Sequence, residues 1–164
     1  MKAISLWQPW ASAMALGWKR IETRHWKTSY RGPLLIHAAK KIIGWPSMDI
    51  HDLFDDEIAF QPSDLPRGAI LCRVDLVGCE QIYIHNRPTG IERILGDYTP
   101  GRFKWITENM ISFGPIPYRG SQGFFDVPES LLNNTNQKEL SLPTIDQPIQ
   151  IPLFKKEARN ERTG

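Results

Sequence analysis

Proline and glycine recur along the whole chain and restrict the length of any helix in it. The 164 residues include 13 prolines and 12 glycines, which interrupt helices because proline lacks a backbone donor and glycine is conformationally free. The apolar runs between them, such as residues 69–83 (AILCRVDLVGCEQIY), have the composition of strands. The chain is therefore predicted to be α+β and β-rich, with about five to six strands in a small β-barrel and two or three short helices.

Local signals place these elements. Pro9 suits the first turn of a helix, Gly17 suits the residue just after its end, and Gly78 predicts a bulge in a strand. Within residues 30–40 the alternation predicts a strand with Leu34, Ile36 and Ala38 on one face. We predict helices at about 8–16, 47–60 and 91–96, further strands at about 3–6, 19–26, 69–83 and 102–113, a Pro/Gly connection at 114–120, and a closing strand or turn at 122–128.

The length and composition are those of one folded domain. Hydrophobic residues make up 41% and charged residues 23% of the chain, which is ordinary for a globular protein with a single core. We assign residues 1–130 to this domain. Residues 131–164 are polar and rich in asparagine near their start, and we assign them to a C-terminal extension that packs on the domain or trails from it.

The sequence indicates a cytoplasmic protein without membrane association. No run approaches the roughly 18 apolar residues that cross a bilayer, and Pro9 interrupts the N-terminal apolar stretch too early for a signal peptide. Cys72 and Cys79 are seven residues apart, so a regular strand would place them on opposite faces and no disulfide is expected. The sequence makes no prediction of oligomeric state.

Positive charge and indole rings are concentrated in the first quarter of the chain. Residues 1–41 contain eight Lys/Arg and a single acid, whereas residues 42–66 contain six acids and no Lys/Arg. Four of the six tryptophans also lie in the first quarter (Trp7, Trp10, Trp18 and Trp26). Cations mixed with aromatic rings suit a polyanion with stackable bases, although charges that cluster in sequence need not form a patch in space.

Residues 17–24 read G-W-K-R-I-E-T-R, and this segment resembles the Gly-x-Lys-x-x-Glu-x-Arg signature of the ASCH family. Its flanks, SLWQPWA and YRGPLLIHAAK, fit the same family, as do GRFKWITEN and PIPYRGSQGFFDVP near the end of the domain. The resemblance covers about residues 3–128. It implies a PUA-like β-barrel with a cleft lined by the helix end and the strand that follows.

Each charged residue of the motif has a chemistry that suits a nucleotide. Lys19 is a mobile cation for a phosphate or carbonyl oxygen, Glu22 can accept a hydrogen bond from a base amine, and Arg24 can hold phosphate bidentately or stack on a base. Trp10 or Trp26 could offer a stacking face. The alternatives are a structural ion-pair network among the charges and a place in the core for the indoles.

Further candidates lie beyond the motif. His37 and Lys40 are on the next strand, which borders the cleft in the resemblance, although a lone histidine on a strand is more often a satisfied core residue. The segment RFKW contributes Lys104 and Trp105 as a second basic-aromatic cluster, which suits a plain surface as well as a site.

These residues favour a nucleic-acid-binding module for RNA, single-stranded nucleic acid or a modified nucleoside. One alternative is a ribonuclease in which Lys19, Glu22 and His37 are catalytic. Another is a small amidohydrolase on modified cytidine, as in some members of the resembled family, but Glu22 stands where those enzymes have a threonine. No histidine lies within five residues of another, so no metal site and no cofactor are predicted, with Mg²⁺ or Mn²⁺ expected only for a nuclease.

Overall fold

The computed structural model of the protein describes residues 1–41, 43 and 64–133. In chain order these residues form β1 (Lys2–Leu6), α1 (Trp10–Ala15), β2 (Ile21–Arg24), β3 (Gly32–Ala38), β4 (Ala69–Gln81), a 3₁₀ turn (Ile84–Asn86), α2 (Gly90–Ile94), β5 (Phe103–Pro117), β6 (Phe124–Asp126) and α3 (Ser130–Asn133). The strands make one curled, half-barrel sheet in the order β2-β5-β4-β3-β1-β6. Only β1 and β3 pair in parallel among these neighbours. The predicted β-rich α+β class is confirmed.

The alternation along β3 divides the core into two parts. Leu34, Ile36 and Ala38 pack in one buried cluster with the apolar side of α1, as the sequence predicts. Leu35 points the other way into a smaller cluster that also contains Ile70. Both faces of this central strand are buried because α1 covers one side and residues such as Val127 and Leu131 cover the other.

Bulges in β4 decide which residues face the core. The pairing of β4 with β5 shifts register three times, and the last shift, between Leu76 and Gly78, confirms the predicted bulge. Because a bulge adds a residue and reverses the alternation, Cys72 and Cys79 pack against the same cluster, and the prediction that they face opposite ways is wrong. Both thiols are free, and burial raises the pKa of Cys72 to about 12.

Several boundaries differ from the predictions. The Pro/Gly stretch after residue 113 is not a connection, since β5 continues to Pro117 and pairs with the start of β4. A helix, α3, occupies the beginning of the polar segment that was predicted to be an extension, and Leu131 and Leu132 pack against the smaller cluster. The predicted helix at 47–60 and residues 134–164 lie outside the described residues.

None of the helices in the described part of the chain is long and apolar enough to cross a membrane.

Candidate nucleic-acid-binding cleft

The end of α1 places the charged motif at the edge of the sheet. Gly17 adopts φ +77°, and the amides of Trp18 and Lys19 turn back to donate to the Ala13 carbonyl at 3.0 and 3.1 Å. This left-handed residue after a helix is the role predicted for Gly17. The chain then enters β2, which is shorter than the predicted strand at 19–26 and pairs with β5.

Helix α2 holds the beginning of β2 in place. The Glu92 carboxylate accepts hydrogen bonds from the backbone amides of Arg20 (2.7 Å) and Ile21 (3.1 Å) and from the Tyr98 hydroxyl (3.0 Å). Burial and the neighbouring Glu92 carboxylate raise the pKa of Tyr98, so the phenol stays a donor. Glu92 therefore joins α2 to the motif, a contact between residues about 70 positions apart that no local sequence signal indicates.

Lys19 lies at the bottom of the cleft as a buried ammonium. The residue is 2% exposed. Its Nζ donates to the carbonyls of Ile21 and Leu95, the latter at 2.8 Å, and lies 3.6 Å from a Glu22 carboxylate oxygen. Protein oxygen atoms therefore already accept from the ammonium. Lys19 takes part in the structural ion-pair network that the sequence analysis gave as an alternative.

Glu22 links Lys19 to Arg24. The Arg24 Nε lies 3.0 Å from Glu22 Oε1, and an Arg24 terminal nitrogen donates to the Ser5 carbonyl at 2.9 Å. Both side chains are partly exposed, at 13% for Glu22 and 24% for Arg24. Glu22 and Arg24 therefore belong to the ion-pair network and also keep some surface exposed.

An open cleft of about 1410 Å³ brings most of the candidates together. Trp10, Lys19, Glu22, Arg24, Trp26, His37 and Lys40 all line it. So do Arg67, Arg102 and Arg119, which the prediction did not include among the site residues. Six Lys/Arg face two carboxylates, those of Glu22 and Asp97, so the described lining has a formal charge of +4 without histidine.

The second basic-aromatic cluster divides between surface, core and cleft. Lys104 forms an ion pair with Glu80 at 3.0 Å outside the cleft lining, and Trp105 is 1% exposed with its indole N–H bonded to the Trp26 carbonyl. A buried Trp105 cannot stack on a ligand in this conformation, which corrects its assignment as a ligand contact. Arg102 from the same segment does line the cleft, held by Asp97 at 3.2 Å.

Trp7 is the most accessible indole of the cleft, and the prediction favoured other tryptophans. It is 48% exposed and lines the cleft, with the Lys41 ammonium 5.1 Å from its ring centroid. Trp26 is half-buried and packs edge-on against Trp105 at 4.6 Å between centroids. Trp10 is also half-buried, packed between the cluster of Leu34 and Ile36 and a separate buried cluster that contains Ala13 and Leu95. The sequence offered only one hint for Trp7, which is its place just after an apolar strand and before Pro9.

His37 is buried against the loop after β5. It is 2% exposed, its Nε2 donates to the Tyr118 carbonyl at 3.0 Å, and its Nδ1 lies 3.0 Å from the Ser5 hydroxyl. Since a carbonyl can only accept, Nε2 carries a proton, whereas the single proton of the Ser5 hydroxyl is directed at the Ser121 carbonyl at 3.1 Å. Burial lowers the pKa of His37, opposed by the hydrogen bond to Tyr118. Of the two interpretations of His37, the structure shows a buried, hydrogen-bonded core residue, although its ring borders the cleft.

The lowered pKa of His37 predicts a loss of stability in mild acid. Below its ordinary pKa of 6.5 the unfolded chain binds a proton that the folded chain does not, so the free energy of unfolding falls as the pH falls from 6.5 to the folded pKa. Melting temperatures of wild type and His37→Gln between about pH 7.5 and about pH 5 measure this. The wild type should lose more stability than the variant over this range, and equal losses would contradict the prediction.

Among residues 1–41, 43 and 64–133, no group of three or more His, Cys, Asp or Glu side chains is arranged to hold a metal ion.

The sequence of the cleft and its supporting sheet matches a known family. A family model of the ASCH domain matches residues 4–117, which is more than half of the chain. The chain belongs to the ASCH domain family. This match includes α1, the motif, β3 and the whole of β5, so it covers most of the described cleft.

This ASCH protein is similar in sequence to two mammalian proteins and similar in fold to a bacterial one. It is similar to activating signal cointegrator 1 of Homo sapiens (38% identity over 81 residues) and of Mus musculus (37% over 81 residues). Each alignment covers 46% of this chain, but the chain spans only 14% of the length of these relatives. Among solved structures, it is similar to an ASCH protein from Zymomonas mobilis, with a TM-score of 0.53 and 14% identity over 80% of this chain and 90% of the other. A point mutant of that protein gives a TM-score of 0.52 at 14% identity, over 80% of this chain and 93% of the other. These structural matches support the fold.

Proposed function

We propose that this ASCH protein binds single-stranded RNA and seats at least one nucleotide in the cleft. The observation that carries the proposal is the lining of the cleft, where six Lys/Arg face two carboxylates and accessible indole surface lies beside them. The positive potential would attract the phosphates of a nucleic-acid strand, and an unstacked base could stack on the indole ring. PUA-like domains, which this family resembles, present their cleft to RNA, and that resemblance favours RNA over DNA.

A single strand fits this cleft better than a duplex. The bases of a duplex are stacked and paired, whereas a base from a loop or a free strand can enter a recess and be read at its edge. The volume of about 1410 Å³ exceeds the roughly 300–1,000 Å³ of a small-molecule pocket. A nucleotide with parts of its neighbours is therefore an occupant of suitable size.

The motif supplies groups that could read the base. Glu22 keeps lone pairs beyond its contacts with Lys19 and Arg24, and these can accept from an exocyclic amine. Arg24 has guanidinium N–H groups besides those that contact Glu22 and Ser5. We assign base-edge recognition to Glu22 and Arg24, and we assign to Lys19 the role of holding Glu22 in place.

The engagement of the predicted catalytic residues favours binding over turnover. Lys19 and His37 are each 2% exposed, and Lys19 donates to two carbonyls, so little of either side chain is open to a substrate in this conformation. The ribonuclease and amidohydrolase alternatives stay predictions, as does the cytoplasmic location.

Fluorescence anisotropy with a labelled RNA strand of about ten nucleotides tests the proposal. We compare wild type with Arg119→Glu, which reverses an exposed charge of the cleft. The variant should bind about tenfold or more weakly. In a plot of the logarithm of the binding constant against the logarithm of the salt concentration, the slope should become shallower by about 0.7 or more, the value for one lost phosphate contact on a single strand. A denaturing gel of the same samples, with and without Mg²⁺ or Mn²⁺, shows whether the RNA is cut.

Arg31→Glu is the matched control. Arg31 is also exposed, but it donates to the carbonyls of Thr28 and Tyr30 and is not part of the cleft lining. It should leave the affinity within about twofold of wild type. Equal losses in the two variants would indicate an effect of net charge rather than binding in the cleft. No binding by wild type would reject the proposed function. Cleavage by wild type that a Lys19→Ala variant lacks while it is still folded by circular dichroism would make the protein a ribonuclease.

A further inference from the structure

The charges that line the cleft are arranged in two groups with different partners. Both carboxylates of the described lining belong to the first group, where Glu22 contacts Lys19 and Arg24, and Asp97 contacts Arg102. Here each carboxylate is matched by cations. The second group contains Lys40 and Arg119, and none of the described lining residues places a carboxylate against them.

Gly68 brings the second group together. Its amide donates to the Ala38 carbonyl at 2.7 Å, and its carbonyl accepts from the Tyr118 amide at 3.0 Å. These two bonds join the end of β3, which leads to Lys40, to the end of β5, which leads to Arg119. Arg67, immediately before Gly68, also lines the cleft.

The absence of a side chain at Gly68 gives Lys40 its path. A methyl group there would lie 2.9 Å from the Lys40 Cγ and 3.0 Å from its Cε, so the aliphatic part of Lys40 lies directly over the glycine backbone. Gly68 also has φ +63°, a conformation that costs glycine little. The aliphatic part of Lys40 is therefore supported by the backbone, while the residue remains exposed and lines the cleft.

We infer that Lys40 and Arg119 form a phosphate subsite and that the ligand of the cleft carries its phosphate there. The paired charges of the first group would then face the base and sugar, since balanced donors and acceptors suit neutral polar edges. A pair of cations without facing carboxylates suits a phosphate, which arginine and lysine bind with charge-assisted hydrogen bonds. This inference rests on the proposed function, and it selects a nucleoside phosphate or a phosphodiester over a free modified nucleoside.

Titration calorimetry with uridine, uridine 5′-monophosphate and uridine 3′-monophosphate tests the subsite. Wild type should bind at least one monophosphate about tenfold or more tightly than uridine. Inorganic phosphate should compete with that monophosphate and leave uridine binding unchanged. In the double variant Lys40→Ala/Arg119→Ala, the affinities for the monophosphate and for uridine should differ by no more than about threefold. The affinity for uridine itself should change little.

Lys2→Ala/Arg31→Ala is the control because it removes the same net charge from residues outside the cleft lining. It should keep the phosphate preference of wild type. Equal affinities of wild type for uridine and both monophosphates would overturn the inference. So would an equal loss of preference in the control, since that would show an effect of net charge alone. A protein that binds the labelled RNA but lacks the phosphate preference would fail this inference and keep the proposed function, whereas a protein that binds none of these ligands would fail both.

Discussion

Lys19→Met is expected to lower the melting temperature by about 6–20 °C, because breaking a buried charged pair costs about 3–5 kcal/mol and each kcal/mol shifts a domain of this size by about 2–4 °C. Lys19 is 2% exposed. Its ammonium donates hydrogen bonds to the Ile21 and Leu95 carbonyls and forms an ion pair with Glu22. Its removal leaves these acceptors unpaired and leaves Glu22 with only Arg24 as a described ionic partner. Calorimetry or thermal circular dichroism measures the change.

The double variant Lys19→Met/Glu22→Gln separates the causes. If the unpaired Glu22 carboxylate accounts for most of the loss, the double variant should recover part of the melting temperature that the single variant loses. Glu22→Gln alone completes the cycle. Equal melting temperatures for Lys19→Met and the double variant would assign the loss to the carbonyl acceptors instead. Unchanged stability in all three variants would reject a structural role for Lys19.

Trp7→Ala is expected to weaken RNA binding by about 5- to 150-fold, which corresponds to the roughly 1–3 kcal/mol of one aromatic stacking contact with a base. Trp7 is 48% exposed in the cleft lining, with Lys41 beside its ring, so a base and a phosphate could both bind there. Because the side chain contributes little to the core, we expect the melting temperature to change little. Anisotropy with the same labelled RNA measures the loss, and Trp7→Phe should restore part of it.

Tyr83→Ala provides the control for surface aromatic area. Tyr83 is 49% exposed, nearly the same fraction as Trp7, but it stacks on His85 outside the cleft lining. Its removal should change the RNA affinity by less than about twofold. Equal weakening by the two variants would indicate that RNA contacts a broad aromatic surface. A Trp7→Ala variant with wild-type affinity would remove Trp7 from the site.

The motif could be predicted from the sequence because the features that define it depend on residues close together in the chain. Gly17 follows the end of α1 as expected, Glu22 contacts both Lys19 and Arg24, and Gly78 marks a bulge in β4. Helix ends, strand alternation and bulges depend on residues close in sequence, so each is written in a short segment. The family follows from the same segment and its flanks, since the ASCH match covers residues 4–117.

The composition of the cleft could not be predicted in the same way. Local pattern does not distinguish Arg102, which lines the cleft and pairs with Asp97 of the preceding loop, from Lys104, which pairs with Glu80 of β4 outside the lining. Likewise, the burial of Trp105 and the exposure of Trp7 depend on which elements cover them. A single residue inserted into a strand also reversed the prediction for Cys79.

The sequence by itself determined the β-rich class, the turn at Gly17 and the charged motif, because short-range backbone preferences and alternation specify them. Only the tertiary structure decided which charges meet. The hydrogen bonds of Gly68 join the ends of β3 and β5, and they bring Lys40 and Arg119 to one cleft although the two are 79 positions apart in the chain. That convergence depends on the pairing of distant strands, which are brought together when the sheet closes around its core.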